Sequence, residues 1–286
     1  GGVPWPKGFD AERRQEREWL SYLRAGYKML PGRQAMLRHA AAIIVGSRHT
    51  GSEIPRRYRD KSVYIPENAV DPARFNARAA PPGDVLRACF IGRMVPYKGP
   101  DMLLKAALPL LQAGKLHLDM IGDGPILPEL KFFATAHEIG DAITFHGWLD
   151  HAEVQDVATR SQLLAFPSVR EFGGGVVLEA MALGLVPLTV DYAGPGELVT
   201  PDAGFKVAIG PRNEIVNRFR AKLTELAEDP SALPEMASNA RRRVEKYFTW
   251  DGKVDQVLAI YDWLLGQRPD RPDPFDHYDS PEKDTG

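Results

Sequence analysis

Two glutamates, Glu171 and Glu179, bracket three glycines in the sequence Glu-Phe-Gly-Gly-Gly-Val-Val-Leu-Glu. A short apolar run at 163–167 precedes them and predicts a strand, and residues 176–185 predict a helix after them. The first amides of a helix favour a phosphate because the peptide dipoles are aligned. Glycine in addition lets a ligand approach the backbone closely. The run therefore predicts an anion site at a strand-to-helix junction.

The two carboxylates add hydroxyl recognition to this anion site. A carboxylate before the loop can accept hydrogen bonds from sugar hydroxyls, and one about a turn into the helix can chelate the diol of a ribose. A single glutamate in a loop or helix is usually only solvated. Glu179, however, has apolar neighbours, and a buried glutamate without a partner is costly. That cost favours a ligand or an internal partner, and the whole pattern predicts a sugar nucleotide site.

Two basic residues lie in the sequence Gly-Arg-Met-Val-Pro-Tyr-Lys-Gly, which follows an earlier predicted strand. Arg93 and Lys98 are five residues apart in a loop, from which both could reach one diphosphate. Arginine offers a planar fork that matches phosphate oxygens, and lysine offers a compact charge. A basic loop residue is most often a plain surface charge. Their position on the same sheet edge as the glycine run favours the binding interpretation.

The elements that must position these residues alternate regularly after residue 83. Apolar strands are predicted at 88–91, 116–121, 143–145, 163–166 and 186–190, each separated from the next by a helix-length segment. This alternation predicts an α/β fold with a Rossmann-like parallel sheet and helices on both faces. The loops after the strands lie on one edge, where such sheets bind ligands.

The flanking segments are less regular. Residues 10–30 and 33–40 predict helices, with Asp10 as an N-cap, and residues 41–45 and 62–65 predict short strands. Four prolines between 66 and 83 indicate a linker. Three further helices are predicted at 214–228, 231–248 and 252–265. The basic run from Arg241 to Arg243 is interpreted as a solvated face of the second of these helices.

Composition limits the class of protein. The 286 residues, 44% of them apolar, can form one large core or two ordinary ones. With 36 basic and 38 acidic residues the net charge is -2, so nucleic acid is not an expected partner. The lone Cys89 excludes an internal disulfide and fits a reducing compartment. Because it lies in an apolar strand, it is predicted to be a buried core residue rather than a nucleophile.

No apolar stretch is long enough to span a bilayer, and no signal peptide is visible. The expected location is the cytoplasm, or its membrane surface as a peripheral protein. The opening residues, from Gly1 onward, resemble a loop already under way, which predicts that the natural chain continues upstream.

Three motifs together resemble a known family. They are Phe-Ile-Gly-Arg at 90–93 with Lys-Gly at 98–99, Ile-Gly-Asp-Gly-Pro at 121–125, and Glu-Phe-Gly-Gly-Gly-Val-Val-Leu-Glu-Ala-Met-Ala-Leu-Gly at 171–184. This combination resembles the C-terminal half of the family 4 (group 1) retaining glycosyltransferases of GT-B fold. The resemblance runs from about residue 41 to about residue 265.

The resemblance implies a role for each matched residue. The donor diphosphate would be bound by Arg93, Lys98 and the backbone amides of Gly174, Gly175 and Val176. Glu179 would hold the ribose. Glu171 would contact the donor sugar as the catalytic candidate, with Phe172 and Gly173 in the same donor-sugar loop. Glu171 could in principle be a covalent nucleophile, as in retaining hydrolases, but we assign it to positioning the sugar.

The implied reaction transfers a sugar, with retention, from a nucleoside-diphosphate sugar to a saccharide or lipid-linked glycan. Such a reaction must stabilise negative charge on the departing diphosphate. Fixed cations and a helix N-terminus can do so, and no Asp-x-Asp metal signature occurs in the chain. The expectation is therefore that the reaction needs neither a metal nor another cofactor.

The resemblance also implies a domain organisation. Residues 1–75 would be part of an N-terminal, acceptor-side domain, and residues 76–250 the nucleotide-sugar-binding domain. Residues 251–266 would form a helix that returns toward the N-terminal domain, and residues 267–286 a disordered tail. A sequence Ile-Pro-Glu-Asn-Ala-Val-Asp at 65–71 departs from the family pattern and leaves Asn68 a weak ligand candidate.

A further departure is that the family's early glycine loop and its histidine are absent. His39 and His49 lie in the wrong segment to replace that histidine and are expected to be packing or surface residues. One alternative is therefore a non-catalytic or split module that needs a partner chain supplying the N-terminal half. Another is a sugar-nucleotide epimerase of GT-B fold. A nicotinamide-dependent oxidoreductase is disfavoured, because no Gly-x-Gly-x-x-Gly follows a strand. The base, which residues 146–149 are expected to contact, the sugar and the acceptor stay open.

Overall fold

The computed structural model describes Phe9 and residues 31–273. A first unit contains α1 (Pro31–His39), β1 (Ile43–Val45), α2 (Arg48–Ser52) and β2 (Ser62–Tyr64). The two strands pair in parallel as a two-stranded sheet. The helix predicted at 33–40 and the strands predicted at 41–45 and 62–65 are thus confirmed within two residues. The helix predicted over 10–30, with its cap Asp10, lies outside the described residues.

A second unit is built on a six-stranded parallel sheet. Its strands are β3 (Leu86–Ile91), β4 (Leu116–Ile121), β5 (Ile143–Gly147), β6 (Leu163–Phe166), β7 (Val186–Asp191) and β8 (Phe205–Ala208). Their spatial order is β5-β4-β3-β6-β7-β8, and every neighbouring pair is parallel. The first five of these strands agree with the prediction, and β8 was not predicted. Because the order reverses between β3 and β6, the C-terminal ends of these two strands form the crevice where such sheets bind ligands.

Helices cover both faces of this sheet, which confirms the predicted α/β class. They are α3 (Pro100–Gln112), α4 (Leu127–Ala136), α5 (His151–Ala158), α6 (Gly175–Leu183), α7 (Ala193–Leu198), α8 (Arg212–Glu228), α9 (Leu233–Tyr247) and α10 (Trp250–Leu264). The helix α8 packs on α3, and α9 packs on α6. The three helices predicted after residue 210 are confirmed within two residues at each end.

One continuous hydrophobic core joins the sheet to its helices. The central strand β6 is buried along its whole length, as expected of a parallel strand covered on both sides. Cys89, on β3, is fully buried, and burial strongly raises the pKa of its thiol. The thiol therefore stays protonated, which confirms the prediction of a core residue rather than a nucleophile.

The proline-rich segment at 66–83 contains no helix or strand of its own, but hydrogen bonds and packing attach it to the second unit. Val70 donates its backbone N–H to the carbonyl of Phe248 at 2.7 Å, and Ala79 donates to the carbonyl of Leu183 at 2.8 Å. Phe75 is buried in the main core. The predicted linker is therefore fixed in place, because its apolar side chains and its backbone groups contact the second unit.

The helix α10 returns to the first unit, where Ile260 forms a small apolar cluster with Val63 and Ile65. The part of the chain that the structure describes contains no helix with the length and apolar character needed to cross a bilayer. The domain boundaries and the predicted disorder of 267–286 stay predictions, and residues 274–286 lie outside the described part.

One prediction about the helices is wrong. Arg243, which was assigned to a solvated face of α9, is only 5% exposed. Its Nε donates to the carbonyl of Leu198 at 3.0 Å, and its guanidinium lies within 6 Å of the ring centroids of Tyr247 and Phe248. The helical period explains this position, because residue 243 shares a face with the buried Ala240 and Tyr247.

Candidate functional site

The loops that follow β3 and β6 are docked on each other. The loop after β3 contains a 3-10 turn, Pro96–Lys98, and the carbonyl of Tyr97 in that turn accepts the backbone N–H of Val169 at 2.9 Å. Gly99 follows with a φ of 74°, and a Cβ there would lie 2.8 Å from the carbonyl oxygen of Pro167. Only glycine fits this position without strain. The docking places the end of the turn beside the residues that follow β6.

Lys98 and Glu171 form an ion pair at this junction, in which Nζ of the lysine donates to a carboxylate oxygen of the glutamate. Each side chain is 18% exposed. The ammonium also lies 5.3 Å from the centroid of the Phe166 ring. The structure therefore joins the predicted diphosphate cation to the predicted sugar-binding carboxylate, a contact that the spacing of 73 residues between them does not reveal.

Arg93 lies at the same sheet edge but is not part of this pair. Its side chain is exposed and makes no hydrogen bond or ion pair with the described residues. Its loop is held by backbone bonds between strand ends, since Gly92 donates to Ile121 at 3.0 Å and Met94 donates to Asp123 at 2.8 Å. The structure thus leaves the Arg93 guanidinium available at a fixed loop.

The glycine loop leads directly into α6, which begins at Gly175, one residue earlier than predicted. Gly174 is the N-cap with a φ of 63°, and no side chain caps the helix. The first amides of a helix have no acceptor within the helix itself. The amides of Gly175 and Val176 therefore open the helix without a side-chain acceptor at its cap, as the predicted anion site requires.

Glu67 and Asn68, in the segment that connects the two units, lie against this loop. The sequence did not identify Glu67 as a site residue, and it indicated Asn68 only as a weak ligand candidate. A Cβ on Gly173 would lie 2.3 Å from Nδ2 of Asn68 and 3.0 Å from Oε1 of Glu67. A Cβ on Gly46 would lie 3.5 Å from Oε2 of Glu67 and 3.8 Å from the Phe172 ring. Gly46 follows β1, and Glu67 and Asn68 lie just after β2. Their position at the carboxyl ends of parallel strands, where such sheets bind ligands, was the sequence signal that could have identified them.

Glu179 lies in the second turn of α6 and is half-buried. It makes no hydrogen bond or ion pair with the described residues, and the charges that act on it are His151 and Arg74. Burial raises the pKa of the Glu179 carboxyl, and the two basic residues only partly oppose that shift. Because the described part supplies no internal partner, the cost of burying this carboxylate favours a ligand.

His146, in the region expected to contact a base, is held by a buried carboxylate. Asp119 on β4 is 2% exposed, and its Oδ1 lies 2.8 Å from Nε2 of His146. Its other oxygen accepts a hydrogen bond from Nη2 of Arg87 at 3.0 Å. Gly147 then accepts the N–H of Gly122 at 2.7 Å, which ties the ends of β5 and β4 together. The predicted contact with a base stays a prediction.

A separate cleft of about 480 Å³ lies next to the glycine loop, between α2 and the loop from β7 to α7. None of the predicted site residues lines it. Its polar groups are largely paired with each other. Glu197 accepts the backbone N–H of Arg48 at 2.8 Å and a hydrogen bond from the Tyr64 hydroxyl, and Nζ of Lys206 lies 3.3 Å from Asp191. The two contacts of Glu197 hold the first unit against α7.

The described residues contain no group of three or more histidine, cysteine or carboxylate side chains arranged to hold a metal ion. The expectation that no metal is needed stays a prediction. The roles of Arg93 and Lys98 as the cations of the site, and of the start of α6 as its anion-binding backbone, stay predictions as well.

The chain is similar to known proteins over most of its length. Residues 74–243 match the family described as "Glycosyl transferases group 1". Among curated proteins, the D-inositol 3-phosphate glycosyltransferase of Gordonia bronchialis is 34% identical over 182 residues, which is 60% of this chain and 39% of that protein. The glycogen synthase of Mycobacterium tuberculosis is 29% identical over 244 residues, 82% of this chain and 57% of that protein. The chain spans about half the length of the curated relatives it matches.

Solved structures share the fold at low sequence identity. A glycosyltransferase from Rickettsia africae aligns with a TM-score of 0.65 and 18% identity, covering 93% of this chain and 70% of that chain. The pneumococcal O-GlcNAc transferase GtfA, in complex with UDP and GlcNAc, aligns with a TM-score of 0.64 and 17% identity, covering 79% and 46%.

Proposed function

Because the chain belongs to the group 1 glycosyl transferase family and has the fold of GT-B glycosyltransferases, we propose that it is the donor-binding part of a retaining glycosyltransferase. The donor would be a nucleoside-diphosphate sugar and the acceptor a saccharide or lipid-linked glycan. One observation carries the proposal. Lys98 pairs with Glu171 at the crevice between β3 and β6, and α6 begins four residues after Glu171 without a side-chain cap.

In this proposal each site residue binds one part of the donor. Lys98 and Arg93 neutralise the diphosphate, with help from the amides of Gly174, Gly175 and Val176. Glu171 accepts hydrogen bonds from hydroxyls of the sugar, beside Phe172 and Gly173. Glu179 accepts hydrogen bonds from the ribose diol, which would supply the partner that the described residues do not provide.

The proposed reaction breaks the bond between the anomeric carbon and the diphosphate oxygen, and the electron pair leaves with the diphosphate. An acceptor hydroxyl forms the new bond on the same face of the sugar, and its proton passes to the departing phosphate oxygen. Charge develops on that oxygen, where fixed cations and helix amides stabilise it without a metal. A single such donor is worth about 10²-fold to 10³-fold in rate.

Calorimetry with UDP, GDP and ADP tests the binding step. We expect at least one of them to bind at millimolar concentration or below, and Lys98→Met to weaken that binding about tenfold, as expected for a lost charge-assisted contact worth about 1.4 kcal/mol. Lys131→Met, at an exposed lysine on α4, is the matched control and should change nothing. Wild-type protein that binds none of the three would overturn the proposal.

Product analysis tests the reaction. The anomeric configuration of the product, determined by NMR, would match that of the donor if transfer proceeds with retention. Turnover in EDTA equal to turnover in added magnesium would support metal independence. Isomerised donor formed without any acceptor would instead support the epimerase alternative.

An exposed apolar stripe favours a second candidate, a module that works with further polypeptide. Five large apolar side chains on and just after α10 recur at helical spacing and are between 51% and 71% exposed, namely Trp250, Val254, Leu258, Tyr261 and Leu265. A different face of α10, with Val257 and Ile260, packs on the apolar cluster of the first unit. The curated relatives contain further sequence that this chain does not match. In this candidate, polypeptide that corresponds to that sequence covers the stripe.

Co-purification distinguishes these possibilities. A partner chain that copurifies with wild-type protein, but not with Leu258→Asp, would support the split module. Turnover by the lone chain would reject it. Within either candidate we place the protein in the cytoplasm or at its membrane surface, a placement supported by its single, buried thiol.

A further inference from the structure

We infer that Lys98 and Glu171 exchange partners when the donor binds, and that this exchange lets the site distinguish a sugar nucleotide from the bare nucleoside diphosphate. The inference rests on the proposed function. It concerns how the residues of that site act on each other, and it makes the ion pair a determinant of product release.

The ion pair is largely enclosed by the fold rather than exposed at the surface. Each side chain is 18% exposed, and the two residues lie on loops that are docked by the bond from Val169 to Tyr97. The ring of Phe166 covers one side of the ammonium. Charge pairs with this little solvent access are screened less than exposed pairs, whose contribution is usually small.

A diphosphate can use the Lys98 ammonium only by competing with the Glu171 carboxylate. Once the pair opens, Glu171 stays largely buried without its cation, which is unfavourable. The bare diphosphate increases this unfavourable free energy, because it brings negative charge next to the carboxylate and offers it no hydrogen-bond donor. Binding of the nucleoside diphosphate is therefore opposed by Glu171.

A sugar nucleotide removes this opposition, because its sugar hydroxyls can donate hydrogen bonds to the released carboxylate. The donor thus supplies a new partner for each member of the pair. After transfer the sugar leaves with the acceptor, Glu171 regains Lys98, and the diphosphate loses one of its two cations. Arg93 has no such competitor among the described residues, so it contributes equally to donor and product.

The test is calorimetric titration of wild type and Glu171→Gln with the nucleoside diphosphate and with the corresponding sugar nucleotide. Glutamine keeps the shape of the side chain but carries no charge, so its amide oxygen competes only weakly for the ammonium. We expect the variant to bind the nucleoside diphosphate about fivefold or more tightly than wild type does. The ratio of the two dissociation constants, product to donor, should fall by at least as much. Glu225→Gln, which opens the exposed pair with Lys222 on α8, is the charge-matched control and should leave both constants unchanged.

A double-mutant cycle separates this exchange from a structural effect. The gain from Glu171→Gln should disappear in a Lys98→Met background but persist in an Arg93→Met background. Unchanged or weaker diphosphate binding by folded Glu171→Gln, while wild type binds, would overturn the exchange and leave the proposed function standing. A gain that persists without Lys98 would overturn it too, whereas wild type that binds none of UDP, GDP and ADP would overturn the proposed function itself.

Discussion

Gly194, at the start of α7, lies directly against the backbone of Phe172 in the glycine loop. A Cβ on Gly194 would lie 2.2 Å from the carbonyl oxygen of Phe172 and 3.0 Å from the carbonyl carbon of Gly173. The backbone N–H of Gly194 also points to the carbonyl of Glu171 at 3.4 Å. The chain after β7 therefore packs against the glycine loop and holds it in place.

We expect Gly194→Ala to move this loop and impair the site more than the fold. The new methyl group must displace the backbone of residues 172–173, and a displacement of about 1 Å at a reacting centre can cost roughly 10²-fold in rate. Overpacking of this kind destabilises a protein by about 1–3 kcal/mol. Turnover of the sugar nucleotide and affinity for it, measured alongside urea denaturation, check these effects.

Gly140→Ala provides the control, because a Cβ on Gly140 would have no atom within 4 Å. It should bind like wild type. A Gly194→Ala protein that binds the sugar nucleotide as well as Gly140→Ala does would show that the loop does not depend on this contact.

Glu179→Gln should stabilise the empty protein at neutral pH while weakening nucleotide binding. Burial raises the pKa of this carboxyl above 4.5 in the folded state, so above that raised pKa the native protein carries the cost of a buried charge. As pH falls below 4.5 both states are protonated and the cost disappears. The variant should thus melt roughly 2 °C higher at pH 7 and equally at pH 4.

Nucleoside diphosphate binding and melting curves at both pH values test this expectation. Glu225→Gln is again the charge-matched control. A lower melting temperature for Glu179→Gln at pH 7 would mean that the carboxylate has a stabilising partner.

The strands that could be predicted well are those with the strongest burial. The predicted limits of β4 and β6 match the structure, since both are short, mostly apolar and buried in the sheet. The edge strand β8 escaped prediction because only one of its four residues, Val207, is buried. Its hydrogen bonds to β7, rather than its side chains, make it a strand.

Only part of the candidate site, likewise, could be predicted from the sequence. The glycine loop and its two glutamates could be predicted because they are contiguous in sequence. The contact between Lys98 and Glu171 could not, because it depends on β3 and β6 being neighbours in the sheet. The position of Asn68 at the glycine loop likewise results from tertiary packing, whereas the burial of Arg243 agrees with the helical period of α9.

Asp119→Asn should destabilise the protein, because the buried carboxylate joins two basic side chains. Its oxygens contact Nε2 of His146 at 2.8 Å and Nη2 of Arg87 at 3.0 Å. Loss of one member of a buried charged group costs about 3–5 kcal/mol, and the partial exposure of Arg87 reduces this to roughly 2 kcal/mol. Urea denaturation measures the loss. Asp84→Asn, at an exposed position, should change stability by less than about 0.5 kcal/mol, and an equal effect of both variants would contradict the assignment.

Lys253, in the first turn of α10, should make stability rise with pH in the alkaline range. It is 8% exposed near the ring of Phe248, and burial lowers its pKa from 10.5 to about 8. Below pH 8 the ammonium is charged in both states, so the native state carries the full desolvation cost. Between pH 8 and 10.5 the unfolded state binds more protons, and stability rises with pH.

We therefore expect Lys253→Met to melt about 4 °C above wild type at pH 7, with the difference vanishing near pH 10.5. Lys131→Met should track wild type throughout, and a difference for Lys253→Met that is independent of pH would show that packing, not the buried charge, is responsible.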